Sequence, residues 1–94
     1  MNYYGIIEDM SKEQKLIKRF ISKPKDFTYN ELCRVLDSFG YVECESGKTS
    51  GSRVAFIDNN ANHIICLHKP HPSNELKQYQ IELVIEELKS RGLL

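Results

Sequence analysis

The stretch "TYNELCRVLDSFGYVECE", residues 28–45, contains the change from helical to strand periodicity that decides the fold. Thr28, followed three residues later by Glu31, has the form of a capping box, which marks the start of a helix. Apolar side chains then recur at helical spacing, at Leu32, Val35, Leu36 and Phe39. Gly40 suits the left-handed position that follows many helices. The alternation over residues 41–45 predicts a strand directly after this helix, with Tyr41, Glu43 and Glu45 on one face.

A second helix is predicted upstream, in the segment "SKEQKLIKRFISKP", residues 11–24. Ser11 and Gln14 have the spacing of another capping box, and Pro24 ends the helical pattern soon after Ser22. One helical face carries Leu16, Ile17, Phe20 and Ile21. The preceding residues 1–9, "MNYYGIIED", are expected to form an edge strand or an arm that packs on a neighbour.

Two more strands and a last helix are predicted downstream. The strands are "SRVAFID", residues 52–58, and "HIICLH", residues 63–68, joined by an Asn-rich turn that tolerates left-handed geometry. The last helix has a stripe of Ile81, Val84, Ile85 and Leu88, and ends at Gly92. The predicted fold class is therefore α+β: a three-stranded antiparallel meander with helices on one face and an additional N-terminal helix. The other sheet face remains open to a ligand or partner.

Composition narrows the functional classes. The chain has 94 residues, of which 40% are hydrophobic and 28% charged, and its net charge is zero. This composition predicts one soluble domain and argues against a strongly electrostatic nucleic-acid binder. Residues 12–25 nevertheless carry six cations against Glu13 alone. This basic run is either a solvated helix face or a binding stripe. No apolar run approaches the length of a membrane span, so a cytoplasmic location is expected.

The cysteines and histidines do not predict a metal site. Three cysteines without a CxxC pair argue against a disulfide framework and a finger-type zinc site. Strand alternation puts Cys66 and His68 on one face and His63 on the other, so zinc ligands do not converge. Cys33 and Cys44 are expected to be small apolar core residues.

Three segments resemble the HicA family of toxins from toxin–antitoxin pairs: "NELCRVLDSFGYVE" (30–43), "GSRVAF" (51–56) and "HPSNELKQYQIELVIEELKSRGL" (71–93). The resemblance covers residues 28–94, so residues 1–27 are expected to be an N-terminal extension with a helix. It implies a fold similar to double-stranded RNA-binding domains. It also implies a metal-independent endoribonuclease, without a small-molecule cofactor, that cleaves messenger RNA until a HicB-like antitoxin covers it.

One residue departs from the family pattern. The family's catalytic histidine follows Gly-Ser on the second strand, and here that position is Arg53. An arginine keeps its proton at working pH, so it cannot act as a general base. Whether the chain is an enzyme is therefore open. The alternative is a catalytically inactive RNA-binding or protein-interaction domain that keeps the fold.

If RNA cleavage is retained, other residues must supply its chemistry. Metal-independent cleavage needs a base for the 2′-hydroxyl, an acid for the leaving oxygen and a cation for the phosphate. In "HKPH", residues 68–71, His68 and His71 are the candidate catalytic groups, and a meander brings His68 near Arg53. The candidate RNA-binding residues are Lys48, Ser50, Ser52, Arg53 and Lys69.

Each of these candidates also has a purely structural interpretation. The histidines of "HKPH" suit a solvated loop or the cap of the following helix. Arg53 suits a cross-strand pair with Glu43 or Glu45. The loop "SGKTSG", residues 46–51, suits a plain hairpin, and the strand after Lys48-Thr49 argues against a nucleotide-hydrolysing loop, which a helix would follow.

Overall fold

The computed structural model describes residues 11–45 and 52–94. Within them the elements run in the order α1 (Lys12–Ile21), α2 (Tyr29–Ser38), β1 (Val42–Glu45), β2 (Arg53–Asp58), β3 (His63–His68) and α3 (Gln78–Ser90). The strands form an antiparallel sheet in the order β1-β2-β3. This confirms the predicted α+β class and the meander. The expected strand or arm at residues 1–9 and the loop at 46–51 lie outside the described residues.

Both predicted capping boxes are present. The Ser11 hydroxyl accepts from the Gln14 N–H at 3.1 Å, and the Gln14 side chain accepts from the Ser11 N–H at 2.9 Å. At α2, the Thr28 hydroxyl accepts from the Glu31 N–H at 3.2 Å, and Glu31 accepts from the Thr28 N–H at 2.9 Å. Each cap satisfies N–H groups that have no partner inside the helix, and such a cap stabilises a helix by about 1 kcal/mol.

Glycines end α2 and α3, as the sequence predicts. Gly40 has φ +93° and Gly92 has φ +73°, conformations that side chains with a Cβ rarely adopt. After α3 the N–H of Leu93 returns to the carbonyl of Leu88 at 2.9 Å, which satisfies one of the last helical carbonyls. In the described part of the chain, no helix is long and apolar enough to cross a membrane.

The core lies between the helices and the inner face of the sheet. On the strands this face carries Val54, Phe56, Ile65 and Leu67, all buried. The helices contribute the predicted stripes of α2 and α3, together with Phe20 from α1. The turn between α1 and α2 adds Phe27, which is also fully buried. Ile21, predicted on the packed face of α1, is instead 46% exposed. The buried stripe of α1 is therefore narrower than its sequence suggests.

The orientation of β1 corrects another expectation. Tyr41 is buried against the helices, and its position forces Val42 and Cys44 onto the outer face of the sheet, because side chains alternate along a strand. Cys44 is therefore exposed rather than a core residue, while Cys33 is half-buried. The outer face begins with an apolar row across the three strands, since Val42 pairs with Ile57 and Ile57 with Ile64.

A polar cluster holds the C-terminus of α3 against the sheet. The Arg91 guanidinium donates to the Tyr41 hydroxyl at 2.7 Å and to the Asp58 carboxylate at 2.9 Å. The Tyr41 hydroxyl also contacts Nδ1 of His63 at 2.7 Å. Burial opposes the charged form of Asp58, but hydrogen bonds from Arg91 and from the Asn60 N–H outweigh it and lower its pKa.

Candidate nucleic-acid interface

Arg53 and His68 lie directly opposite each other at one end of the sheet. Arg53 is the first residue of β2, His68 is the last residue of β3, and the antiparallel register pairs them. Both side chains are exposed on the outer face of the sheet. Ala55 on β2 and Cys66 on β3 are the next residues on that face, and they also pair with each other. The expected closeness of Arg53 and His68 is therefore confirmed, and a cation lies beside an imidazole on an accessible surface.

Ser52 orients the imidazole of His68. Its hydroxyl lies 3.3 Å from Nδ1 of His68, and its carbonyl accepts from the Lys69 N–H at 2.7 Å. A hydroxyl both donates and accepts. Ser52 can therefore hold the His68 tautomer whose Nε2 accepts a proton and also the one whose Nε2 carries it.

Gln80 fixes the backbone beneath the same imidazole. Its amide donates to the His68 carbonyl at 2.8 Å and accepts from the Lys77 N–H at 3.0 Å, and the side chain is only 5% exposed. These two hydrogen bonds join the first turn of α3 to the end of β3. Gln80 is not among the site residues predicted from the sequence. Lysine is not an N-cap residue, so the spacing of Lys77 and Gln80 carries no capping signal in the sequence.

A cavity of about 210 Å³ opens beside His68. Its walls include Ser52, His68, His71, Lys77, Tyr79 and Gln80. His71 is exposed, and so are Lys77 and Tyr79. Two imidazoles and two lysines, Lys69 and Lys77, therefore line one small cavity at the end of the sheet that carries Arg53. Lys48 and Ser50, the other predicted RNA-binding residues, lie outside the described residues.

The family model described as "HicA toxin of bacterial toxin-antitoxin" matches residues 29–89. The chain belongs to the HicA toxin family. The match starts at the first residue of α2, so α1 and the turn after it precede the matched segment. No curated protein and no solved structure matches the chain.

In this HicA-family chain, Lys69 turns away from His68. Its ammonium lies 5.6 Å from the centre of the Tyr29 ring, on the side of the sheet that faces the helices. The Tyr29 hydroxyl donates to the Glu43 carboxylate. Burial and this hydrogen bond raise the pKa of Tyr29 above its usual range, so the phenol stays neutral. Lys69 also contributes to the cavity wall, but its charge and that of Arg53 belong to different faces.

The register does not place Arg53 directly opposite Glu43 or Glu45. The register pairs Glu43 with Phe56 and Glu45 with Val54, which lie three positions and one position beyond Arg53 along β2. Glu43 instead faces α2, where its carboxylate accepts from the Tyr29 hydroxyl. The residue opposite Arg53 is His68. The sheet therefore places Arg53 in the candidate interface.

A larger cavity, of about 460 Å³, lies between α2 and β1. Glu13, Asp37 and Glu43 are among its walls, and these carboxylates repel phosphate. Burial and the nearby Glu43 raise the pKa of the Cys33 thiol there, so the thiol is a poor nucleophile. The smaller cavity at His68 is therefore the better candidate for RNA.

Among the residues described, no three His, Cys, Asp or Glu side chains are grouped to hold a metal ion.

Proposed function

We propose that this HicA-family toxin binds messenger RNA on the outer face of its sheet and cleaves it beside Arg53. A HicB-like antitoxin inhibits it by covering the same face. The observation that carries this proposal is the pairing of Arg53 with His68 across adjacent strands, with the Ser52 hydroxyl at Nδ1 of His68.

The proposed reaction uses only groups of this chain. Nε2 of His68 takes the proton of an RNA 2′-hydroxyl, and the 2′-oxygen attacks the adjacent phosphorus. The bond to the 5′-oxygen breaks as protonated His71 gives that oxygen a proton, which leaves a 2′,3′-cyclic phosphate on one product. The Arg53 guanidinium binds two phosphate oxygens and stabilises their growing charge, because its planar fork matches their geometry.

This chain has Arg53 where the family has its catalytic histidine, so the general base of the proposed reaction has to lie on another strand. Arg53 cannot take a proton. His68 is the residue that the register places opposite Arg53, so a base at His68 lies about one strand spacing, roughly 5 Å, from the family's usual position. The phosphate can therefore stay at the same end of the sheet while base and cation occupy adjacent strands.

A second candidate function is RNA binding without cleavage. Arg53 favours it, because this residue stands where the resemblance implies the catalytic histidine. Such a toxin would hold messenger RNA through Arg53 and the cavity at His68 without breaking it.

Induced expression in cells that lack the antitoxin separates the two candidates. We expect the wild type to arrest growth and fragment messenger RNA, and His68→Ala to leave RNA intact. Arg53→Ala should weaken both effects, because it removes the phosphate-binding cation. Growth arrest by the wild type with intact RNA would favour binding alone. Full RNA cleavage by both His68→Ala and His71→Ala would exclude the proposed site.

A further inference from the structure

The turn between α1 and α2 carries two exposed lysines, Lys23 and Lys25. They end the basic run of residues 12–25 and precede the segment that matches the HicA family. The position of this turn on the folded domain shows which other surface residues lie next to the two lysines.

Four hydrogen bonds fix this turn along the loop that leads into α3. The Leu76 N–H donates to the Phe27 carbonyl at 2.7 Å, and the Tyr29 N–H donates to the Asn74 carbonyl at 2.9 Å. The Gln78 amide donates to the carbonyls of Lys23 and Pro24, at 3.2 and 3.1 Å. The loop also carries His71 and Lys77, which line the cavity at His68. The lysine-bearing turn therefore lies next to one wall of the candidate site.

Ion pairs with Arg19 neutralise the negative charge of two carboxylates near this turn. Arg19 binds Asp26 at 2.7 Å and Glu31 at 2.8 Å. Lys23 and Lys25 make no ion pair within residues 11–45 and 52–94. The loop itself adds Lys77 as a cation and Glu75 as an exposed anion. The surface that joins the turn to the cavity is therefore positively charged.

We propose that Lys23, Lys25 and Lys77 form a second subsite, which binds the phosphate backbone of an RNA strand leaving the His68 cavity. This inference rests on the proposed function, since it extends the RNA-binding surface. Contacts to phosphates position a strand without reading its bases. The subsite therefore increases affinity for any single strand long enough to reach it and adds no sequence preference.

Salt-dependent RNA binding tests the subsite. The probe is a labelled twelve-nucleotide RNA with 2′-O-methyl groups throughout, which cannot be cleaved, and the readout is fluorescence anisotropy at several salt concentrations. Each phosphate contact on a single strand contributes about 0.7 to the slope of log affinity against log salt. Lys23→Gln with Lys25→Gln should therefore lower that slope by about 1.4 and weaken binding. Lys23→Arg with Lys25→Arg should keep both values.

The matched control is Lys12→Gln with Lys15→Gln, which removes the same charge from the other end of α1, beside Arg34. We expect it to leave the slope unchanged. An equal loss in both double variants would overturn the subsite, because general charge attraction would then explain the effect. RNA binding by the wild type with no change in Lys23→Gln/Lys25→Gln would overturn the subsite alone. Failure of the wild type to bind RNA would overturn the proposed function as well.

Discussion

In the proposed mechanism, Arg53 binds the phosphate and His68 transfers the proton, so two residues share the chemistry. The guanidinium suits the phosphate because its planar fork matches two phosphate oxygens. The imidazole of His68 takes the proton of the 2′-hydroxyl in that mechanism. Their pairing at the ends of β2 and β3 places both groups on the exposed outer face. The departure from the family pattern at Arg53 is thus compatible with retained chemistry.

Ser52 provides the first prediction. Ser52→Ala removes the hydroxyl that lies 3.3 Å from Nδ1 of His68. A hydrogen bond of this kind is worth about 1 kcal/mol, so kcat for RNA cleavage should fall about fivefold while KM changes little. The measurement is steady-state cleavage of a short labelled RNA. The control is Ser90→Ala, because the Ser90 hydroxyl bonds the Glu87 carbonyl at the far end of α3. Equal kcat values for Ser52→Ala and the wild type would contradict a positioning role.

The helices were predictable from sequence because their signals are local. The capping boxes at Ser11 and Thr28 and the glycine at Gly40 act over three or four residues, and the structure contains all of them. Register also followed from the meander, which brings Arg53 to His68. These features need no knowledge of distant contacts.

The faces of β1 and the role of Gln80 were not predictable in the same way. Glu43 points toward the helices because Tyr29, 14 residues earlier in the chain, donates to its carboxylate. Gln80 is buried because it bonds the backbone of His68, which belongs to another element. When the partner of a polar side chain lies far along the chain, the local sequence predicts that the side chain lies on the surface. Only the tertiary contacts show that it faces another element.

The outer face of the sheet provides the second prediction. Ile64 is 53% exposed and continues the apolar row of Val42 and Ile57. A row of this kind is suited to a protein partner. Ile64→Lys should therefore weaken binding of a HicB-like antitoxin at least tenfold, measured by calorimetry, because a charge is then buried in the interface. RNA cleavage by the free toxin should change little.

Ile21 supplies the matched control for that experiment. It is 46% exposed and lies on α1, which packs against α2. Ile21→Lys introduces the same charge at similar exposure and should leave antitoxin affinity unchanged. Equal weakening by both substitutions, or by neither, would argue against the outer face as the antitoxin surface.

For the whole molecule, the buried polar cluster gives a prediction about acid stability. Asp58 has a lowered pKa in the folded protein, so folding favours its charged form. Its contribution to stability is full above the unfolded value, about 3.9, and is lost as pH falls through the lower folded value. Glu31 acts in the same direction, since hydrogen bonds from Thr28 and Arg19 outweigh burial and lower its pKa. The melting temperature should therefore fall as pH decreases from about 5.

Asp58→Asn tests that assignment. The amide keeps the shape of the carboxylate but does not ionise in this range, so the melting temperature of the variant should depend less on pH below about 5. Thermal unfolding followed by circular dichroism at several pH values measures the dependence. Asp26→Asn is the control, because the Asp26 carboxylate is largely exposed and pairs with Arg19 at the surface. An unchanged pH dependence in Asp58→Asn would show that other carboxylates control acid unfolding.

RNA cleavage by the purified toxin in the presence of a chelator tests the proposed chemistry most directly. We predict that the wild type cleaves RNA and leaves 2′,3′-cyclic phosphate ends, which report attack by the 2′-hydroxyl. His68→Ala should lower the rate by about 10² to 10⁴, the usual contribution of a general base. His63→Ala should retain cleavage, because His63 lies at the opposite end of β3 on the inner face. Cleavage at the wild-type rate by both His68→Ala and His71→Ala would contradict the assignment of the site.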